Sequence, residues 1–262
     1  MTAPTHQAGS GELSRPLRMS LDEAGFALLD DVFTPSEVGN WIETLTAALD
    51  PNDAGVHAHD GRTYAARNVL AMCPEVAELW RQPPLVQVVR SVLGDGAGLV
   101  RATYFDKTSG SSWAVPWHKD IVLPVQPGEP AEPEQSGPAA IRESSVWGPV
   151  RIKDGVSHAE APLSVLRGLL QLRINLDDQT DRNGSLAVLP GSHRDGKVVR
   201  MSGYEATPVF GRAGSVMALK PLVAHASGHT RDEHARRRVL ALEFASRREL
   251  PDGFRWQHWV EL

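Results

Sequence analysis

The chain has one cysteine, Cys73, so no intramolecular disulfide can form and the disulfide-stapled secreted scaffolds are excluded. It has no run of about 18 apolar residues, so no helix is expected to cross a membrane. It has no excess of positive charge either: 27 Lys and Arg stand against 32 Asp and Glu, and the net charge is −5. The largest basic cluster is Arg236, Arg237 and Arg238. Nucleic acid is therefore not expected as a partner, because such a surface needs a basic stripe. The opening MTAPTHQAGSGELSRP has no apolar core after a basic start, so no secretory signal is read there. A soluble, cytoplasmic protein is the expectation. Internal repeats are absent. What remains is 262 residues, 41% hydrophobic and 23% charged, enough for one globular domain with embellishments.

Residues 1–16 are small and polar and are expected to form a disordered tail, with a single domain over 17–262. Thr34-Pro-Ser-Glu37 reads as a helix start, with Thr34 as the cap, Pro35 in the first position and Glu37 three after the cap. Val38, Trp41, Ile42, Leu45 and Leu49 follow at helical spacing. A second helical stretch covers Glu75 to Leu93, interrupted near Pro83-Pro84. From residue 98 onward, short β-branched and aromatic segments alternate with turns: 99–105, 113–125, 168–176, 185–190, 215–219 and 239–244. Helices first and strands later predict a mainly β chain with helices packed on one face of a sandwich or barrel. Gln126 to Pro162 is rich in Pro, Gly, Glu and Ser, shows no period, and is expected to be a lid or insert.

The chemistry centres on Trp117-His118-Lys119-Asp120. Residues two apart on a strand share a face, so His118 and Asp120 can converge on one ion. A third ligand can come from His225, at the end of the apolar segment Ser215 to Ala224. Two imidazoles and one carboxylate make the facial triad that leaves coordination positions open for a chelating acid and dioxygen. A His-x-Asp pair and a strand-end histidine are each common, so spacing alone leaves the metal site open.

The ordered set of motifs narrows it. Gly25-Phe-Ala-Leu-Leu, Phe105-Asp-Lys-Thr, Val115-Pro-Trp-His-Lys-Asp120, Leu176-Asp-Asp and Asn183-Gly-Ser-Leu come first. Leu189-Pro-Gly-Ser-His193, His225-Ala-Ser and Arg237-Arg-Val-Leu-Ala-Leu-Glu-Phe-Ala complete the set. Along nearly its full length the chain resembles the phytanoyl-CoA dioxygenase family of iron(II) and 2-oxoglutarate oxygenases. The resemblance implies a double-stranded β-helix, the jelly roll of the cupin-like folds, with His118, Asp120 and His225 as iron ligands. It implies 2-oxoglutarate as co-substrate, dioxygen as oxidant, and hydroxylation of an unactivated C–H bond of a small metabolite, with secondary metabolism as one setting. Related halogenases replace the carboxylate ligand by a small residue, so Asp120 argues for hydroxylation. Desaturation, cyclisation and epimerisation stay open, as does a jelly roll that binds or senses a ligand without turnover.

The family places an arginine on the strand after the distal histidine against the far carboxylate of 2-oxoglutarate, where a guanidinium can fork onto both oxygens. Counting back from Phe244-Ala245 gives Arg237; counting forward from His225 gives Arg236. Strand alternation puts Arg237 with Val239 and Ala241 on one face and favours Arg237. Ser227 resembles a hydroxyl that touches the co-substrate, and Thr103 sits where strand residues line that pocket. Gln171, Arg173 and Asn175 form one polar side of a strand, facing either solvent or the ligand cavity. In the cavity case, Arg173 could hold a carboxylate. His158, Trp117, Trp147 and Gln171 are candidate substrate contacts. His57, His59, His193, His229 and His234 are read as ordinary loop or turn residues.

Overall fold

The computed structural model describes residues 5–7, 15–128 and 146–262, with side chains from Leu17 onward. The first strands are β1 (Thr5–Gln7), β2 (Phe26–Asp30), β3 (Val56–His59), β4 (Arg62–Ala66) and β5 (Gly98–Thr108). Then come β6 (Val115–His118), β7 (Val122–Gln126), β8 (Arg151–Lys153), β9 (Val156–Glu160) and β10 (Leu169–Asn175). The rest are β11 (Leu186–Val188), β12 (Thr207–Val209), β13 (Val216–Leu219), β14 (His225–Ser227), β15 (Arg236–Ala245), β16 (Arg255–Trp256) and β17 (Val260–Glu261). The large sheet has the order β1-β2-β13-β10-β15-β5-β4-β3, with β17 also on β5. A second sheet runs β12-β11-β14-β6 and a third β16-β7-β9-β8. Apart from the parallel pair β1–β2, the strand pairs are antiparallel.

Helices cover one face of the large sheet. The helix Pro35–Ala48 begins with a closed capping box, in which Glu37 N–H donates to Thr34 Oγ1 and Thr34 N–H to Glu37 Oε2 (3.3 and 2.8 Å). The expected stretch from Glu75 divides at the prolines into a 3-10 turn, Pro74–Arg81, and a helix, Pro83–Leu93. Val38, Leu45, Leu85, Val88 and Val89 from these elements pack with Leu170, Leu172, Ile174, Leu240, Leu242 and Phe244 of the sheet. Truncating a ring such as Phe244 to alanine in this layer costs about 3–5 kcal/mol.

Because side chains alternate along a strand, the opposite face of β10 and β15 carries Gln171, Arg173, Asn175, Arg237 and Glu243, and every one of these is buried. The polar side of β10 therefore looks inward rather than to solvent. The cavity beneath it is lined by both the large sheet and the β6–β14 sheet, the enclosed space of a jelly roll.

Two expectations change. Of residues 126–162, 129–145 lie outside the described residues, but Arg151 to Glu160 form the hairpin β8–β9, paired through β9 to β7. Its turn is Asp154-Gly155, with φ of 51° and 75°, the geometry of a two-residue hairpin loop. Of the tail 1–16, Thr5–Gln7 pairs with β2 and Arg15 opens a helix reaching Glu23; residues 1–4 and 8–14 lie outside the described residues.

The hairpin turn is tied across the cavity mouth. Arg67 Nη1 donates to Asp154 Oδ2 at 2.6 Å and also meets His57 Nε2 at 2.7 Å. His57 is thus half-buried in a contact with the turn rather than an isolated loop histidine, while His59 is exposed. Replacing Asp154 by alanine should speed amide exchange across 151–160 by about tenfold, with β10 and β15 unchanged in hydrogen-exchange mass spectrometry.

Candidate active site

Histidines 118 and 225 are cross-strand partners on β6 and β14, which fixes their rings 4.2 Å apart between centroids. Each ring is oriented by its own chain: Nδ1 of His118 hydrogen-bonds the Pro116 carbonyl at 2.8 Å, and Nδ1 of His225 the Val223 carbonyl at 2.9 Å. With Nδ1 as donor, both Nε2 atoms keep their lone pairs for a metal. Those atoms lie 3.7 and 3.6 Å from the two oxygens of Asp120. The three donors fall within 4.8 Å of one another. Asp120 sits just beyond the end of β6 rather than within it; its N–H donates to the Pro221 carbonyl at 3.0 Å, which ties it to the segment leading into His225.

Electrostatics prepare the same set. Burial pushes His225 down to about 4, outweighing the pull of Asp120, so the imidazole is neutral at physiological pH. For Asp120, burial raises the carboxyl, but the charges of His225, Arg101, His118 and Arg173 together hold it below its usual range. Neutral imidazoles and an ionised carboxylate are the forms that bind metal.

The residues around the triad explain two further motifs. Lys119, between two ligands, turns the other way and donates to the carbonyls of Ser192 and Gly196, both at 2.7 Å. Ser192 Oγ accepts from Ala224 N–H at 2.8 Å. The Pro-Gly-Ser-His turn thus ties the His118 and His225 segments together. His193 is half-buried against Gly25, whose φ is +82°; a Cβ there would come within 2.5 Å of His193 Nδ1, so only glycine fits.

On the inner side of the triad three cations are buried together. Arg173 donates to Gln171 Oε1 at 2.9 Å, and Gln171 Nε2 reaches Asp120 Oδ2 at 3.5 Å. Arg237 is 3% exposed; among the described residues its guanidinium makes a long 3.5 Å approach to Gln179 and its Nε has no partner. Lys107 Nζ donates to Ser227 Oγ at 2.9 Å and to the Gly228 carbonyl at 3.0 Å. Burial, then repulsion from Arg173, lowers Arg237 to about 9; burial, then Arg237 and Arg173, lowers Lys107 to about 7. Two further cations beside a guanidinium with an unfilled donor leave an excess of buried positive charge that an anion would neutralise. Its neighbours in the sequence have other partners: Arg236 forks onto Asp106 (2.8 and 2.6 Å) and Arg238 onto Asp177 (2.8 and 2.6 Å).

All of this opens on one cavity of about 440 Å³. Of the sequence candidates, His118, Asp120, His225, Arg237, Ser227, Thr103, Arg173, Gln171 and His158 line it. Trp117 and Trp147 are not among its lining residues. Trp147 stacks on Phe254 at 4.5 Å in a separate core cluster, and Trp117 neighbours His118 in sequence but alternates away from it. Trp113 takes the wall position instead. Lys107, Arg101, Arg67 and Lys153 line it without having been candidates; Arg101 and Lys107 carry a signal, since they share the face of β5 that holds Thr103.

Comparison with known proteins agrees with this architecture. The sequence model of the phytanoyl-CoA dioxygenase (PhyH) family matches residues 153–239. An ectoine dioxygenase of Nocardia farcinica is 27% identical over 192 residues, covering 70% of this chain and 52% of that protein. The chain spans about half the length of the curated relatives it matches. Among solved structures, iron-bound EctD from S. alaskensis superposes with a TM-score of 0.66 at 19% identity, over 93% of this chain and 80% of that one. SnoK, an alpha-ketoglutarate-dependent carbocyclase from nogalamycin biosynthesis, gives 0.63 at 14% identity, over 90% and 87%. The resemblance to the phytanoyl-CoA dioxygenase family is borne out, and the fold is the jelly roll of its non-haem iron and 2-oxoglutarate oxygenases. The described residues contain no helix long and apolar enough to cross a membrane.

Proposed function

We propose that the protein is an iron(II)- and 2-oxoglutarate-dependent dioxygenase that hydroxylates an unactivated C–H bond of a small metabolite. The observation that carries this reading is the combination, in one cavity, of a two-histidine, one-carboxylate donor set with a buried and unsatisfied arginine. His118, Asp120 and His225 would hold the iron, since their donor atoms converge and their opposite ring nitrogens are already committed to carbonyls. Arg237 would take the far carboxylate of 2-oxoglutarate, with Ser227, Lys107 and Thr103 beside it and Arg173 between that end and Asp120. Bound iron with 2-oxoglutarate and dioxygen supplies the oxidising power for C–H cleavage, and the co-substrate leaves as succinate and carbon dioxide.

The chain's own residues do the rest. The carbonyls of Pro116 and Val223 keep both imidazoles in one tautomer. Gln171 bridges Arg173 to Asp120 and couples the anion receptor to the metal ligand. The β8–β9 hairpin, held by Arg67, covers the mouth and limits water. Asp120 fills the position a halide would need, which favours hydroxylation; cyclisation, desaturation or epimerisation would require a substrate that intercepts the same first step.

The test is succinate formation from 2-oxoglutarate by the full chain. It should require both iron(II) and oxygen and fall at least about a hundredfold in His118→Ala. Turnover that persists without oxygen would point to a metal hydrolase or isomerase instead. A protein that binds 2-oxoglutarate and iron without releasing succinate would be a sensor.

A further inference from the structure

The cavity has a second cationic end. Arg101, Thr103, Phe105 and Lys107 all line it from one face of β5, and Arg101 and Lys107 are six positions apart, about 20 Å along a strand. The register sets their levels: Lys107 lies opposite Arg237, whereas Arg101 lies opposite Glu243, which in turn faces Gln171, the residue that reaches Asp120. Lys107 therefore belongs with Arg237, and Arg101 stands at the other end of the row, level with the triad.

Arg101 is held in place from behind. Its Nε lies 2.7 Å from Glu243 Oε2, and Glu243 is 1% exposed on the cavity-side face of β15. That pair uses one edge of the guanidinium. Nη1 makes a long 3.4 Å approach to the Val122 carbonyl, so donors remain for a ligand. Around it the cavity is lined by Lys153 and His158 of the hairpin and by Arg67, which follows β4, the neighbour of β5. Two carboxylates face these groups, Glu243 against Arg101 and Asp154 against Arg67. Asp120 lines the same cavity, but its oxygens face His118 and His225; Lys153, at the mouth, has no ion-pair partner among the described residues.

We propose that this outer end binds an anionic group, a carboxylate or a phosphate, on the substrate, with Arg101 as the principal contact and Lys153 as the entry charge. The inference rests on the proposed function only for the statement that the inner anion is 2-oxoglutarate. A guanidinium with one edge pinned to a buried carboxylate presents its free edge in a fixed direction, which suits a forked contact with a planar or tetrahedral anion. An anion bound there would set which carbon of the substrate lies over the triad, making Arg101 a specificity determinant.

The test uses three six-carbon probes that differ in head group: hexanoate, hexyl phosphate and uncharged hexanamide. Each is titrated calorimetrically into the metal-free full chain saturated with 2-oxoglutarate. At least one anion should bind about tenfold or more tightly than the amide, and whichever of the two binds better identifies the head group. The preference should disappear in Arg101→Gln and weaken in Lys153→Gln. The double variant Arg101→Gln/Glu243→Gln, which replaces the ion pair by two neutral hydrogen-bonding groups, should also lose it, and serves if the single variant does not fold. Arg237→Met should keep the preference. Equal binding of anions and amide, or no binding of any probe, overturns the inference. So does a preference that survives Arg101→Gln but is lost in Arg237→Met, a result that would leave the proposed function standing, because it would place the anion at the inner end.

Discussion

Replacing Asp120 by alanine should weaken iron(II) binding at least about a hundredfold, a bound set by the smaller losses seen when only an outer partner of a metal ligand is removed. The carboxylate is the one negative donor in the set, and it stands between two imidazoles whose geometry is fixed by backbone carbonyls. Without it, His118 and His225 remain as the only two donors, and Arg173 and Arg101 are left as positive neighbours with no ionised partner at the metal position. Cation binding then loses a ligand and gains repulsion. The measurement is anaerobic titration of the metal-free protein with iron(II), compared with Asp120→Ala and with Asp177→Ala, a carboxylate that pairs with Arg238 away from the cavity. The first variant should lose binding and the second should not.

The second large effect is at Arg237. Arg237→Met should raise the 2-oxoglutarate concentration needed for half-saturation by about tenfold to a hundredfold, the size of one or two charge-assisted hydrogen bonds. Arg237→Lys should recover little of it, because an ammonium cannot fork onto both carboxylate oxygens. The ligand-free fold should respond in the opposite direction. Arg237 is held well below its ordinary value, to about 9, by burial and then by Arg173. Between about 9 and its unfolded value the unfolded chain binds the extra proton, so stability rises with pH across that window. At neutral pH the ionised group works against folding, and Arg237→Met should leave the melting temperature unchanged or higher. A variant that loses both co-substrate affinity and stability would show Arg237 to be structural.

The part of the site that could be read from the sequence is the part encoded at short range. His118 and Asp120 are two residues apart, and the alternation of β15 selects Arg237 over Arg236 and Arg238 without any tertiary information. The capping box at Thr34 and the prolines at 83 and 84 fix helix starts by local sterics. Lys107, by contrast, earns its place through Ser227 and Gly228, 120 and 121 residues away. Arg101 and Glu243 meet only because β5 and β15 pair in that register. Neither relation has a local signature.

Two misreadings have different causes. Sequence proximity to the metal motif points to Trp117 and Trp147 as substrate contacts, but adjacency along a strand puts neighbours on opposite faces, and Trp147 is absorbed into a core with Phe254. The hairpin at 151–160 was legible: Asp154-Gly155 between alternating segments is a hairpin signal. It was masked by the Pro- and Glu-rich residues preceding it. The polar face of β10 was ambiguous for a physical reason, since alternation defines two faces without saying which is wet; only the β6–β14 sheet opposite decides that it is a lined cavity.

The most direct measurement is anomalous diffraction at the iron edge from crystals of the full chain grown without oxygen, with iron(II) and 2-oxoglutarate. A single peak is predicted about 2.0–2.2 Å from Nε2 of His118, Nε2 of His225 and a carboxylate oxygen of Asp120, with the far carboxylate of 2-oxoglutarate on Arg237. A peak bonded to other residues, or no peak between these three side chains at full iron loading, would contradict it.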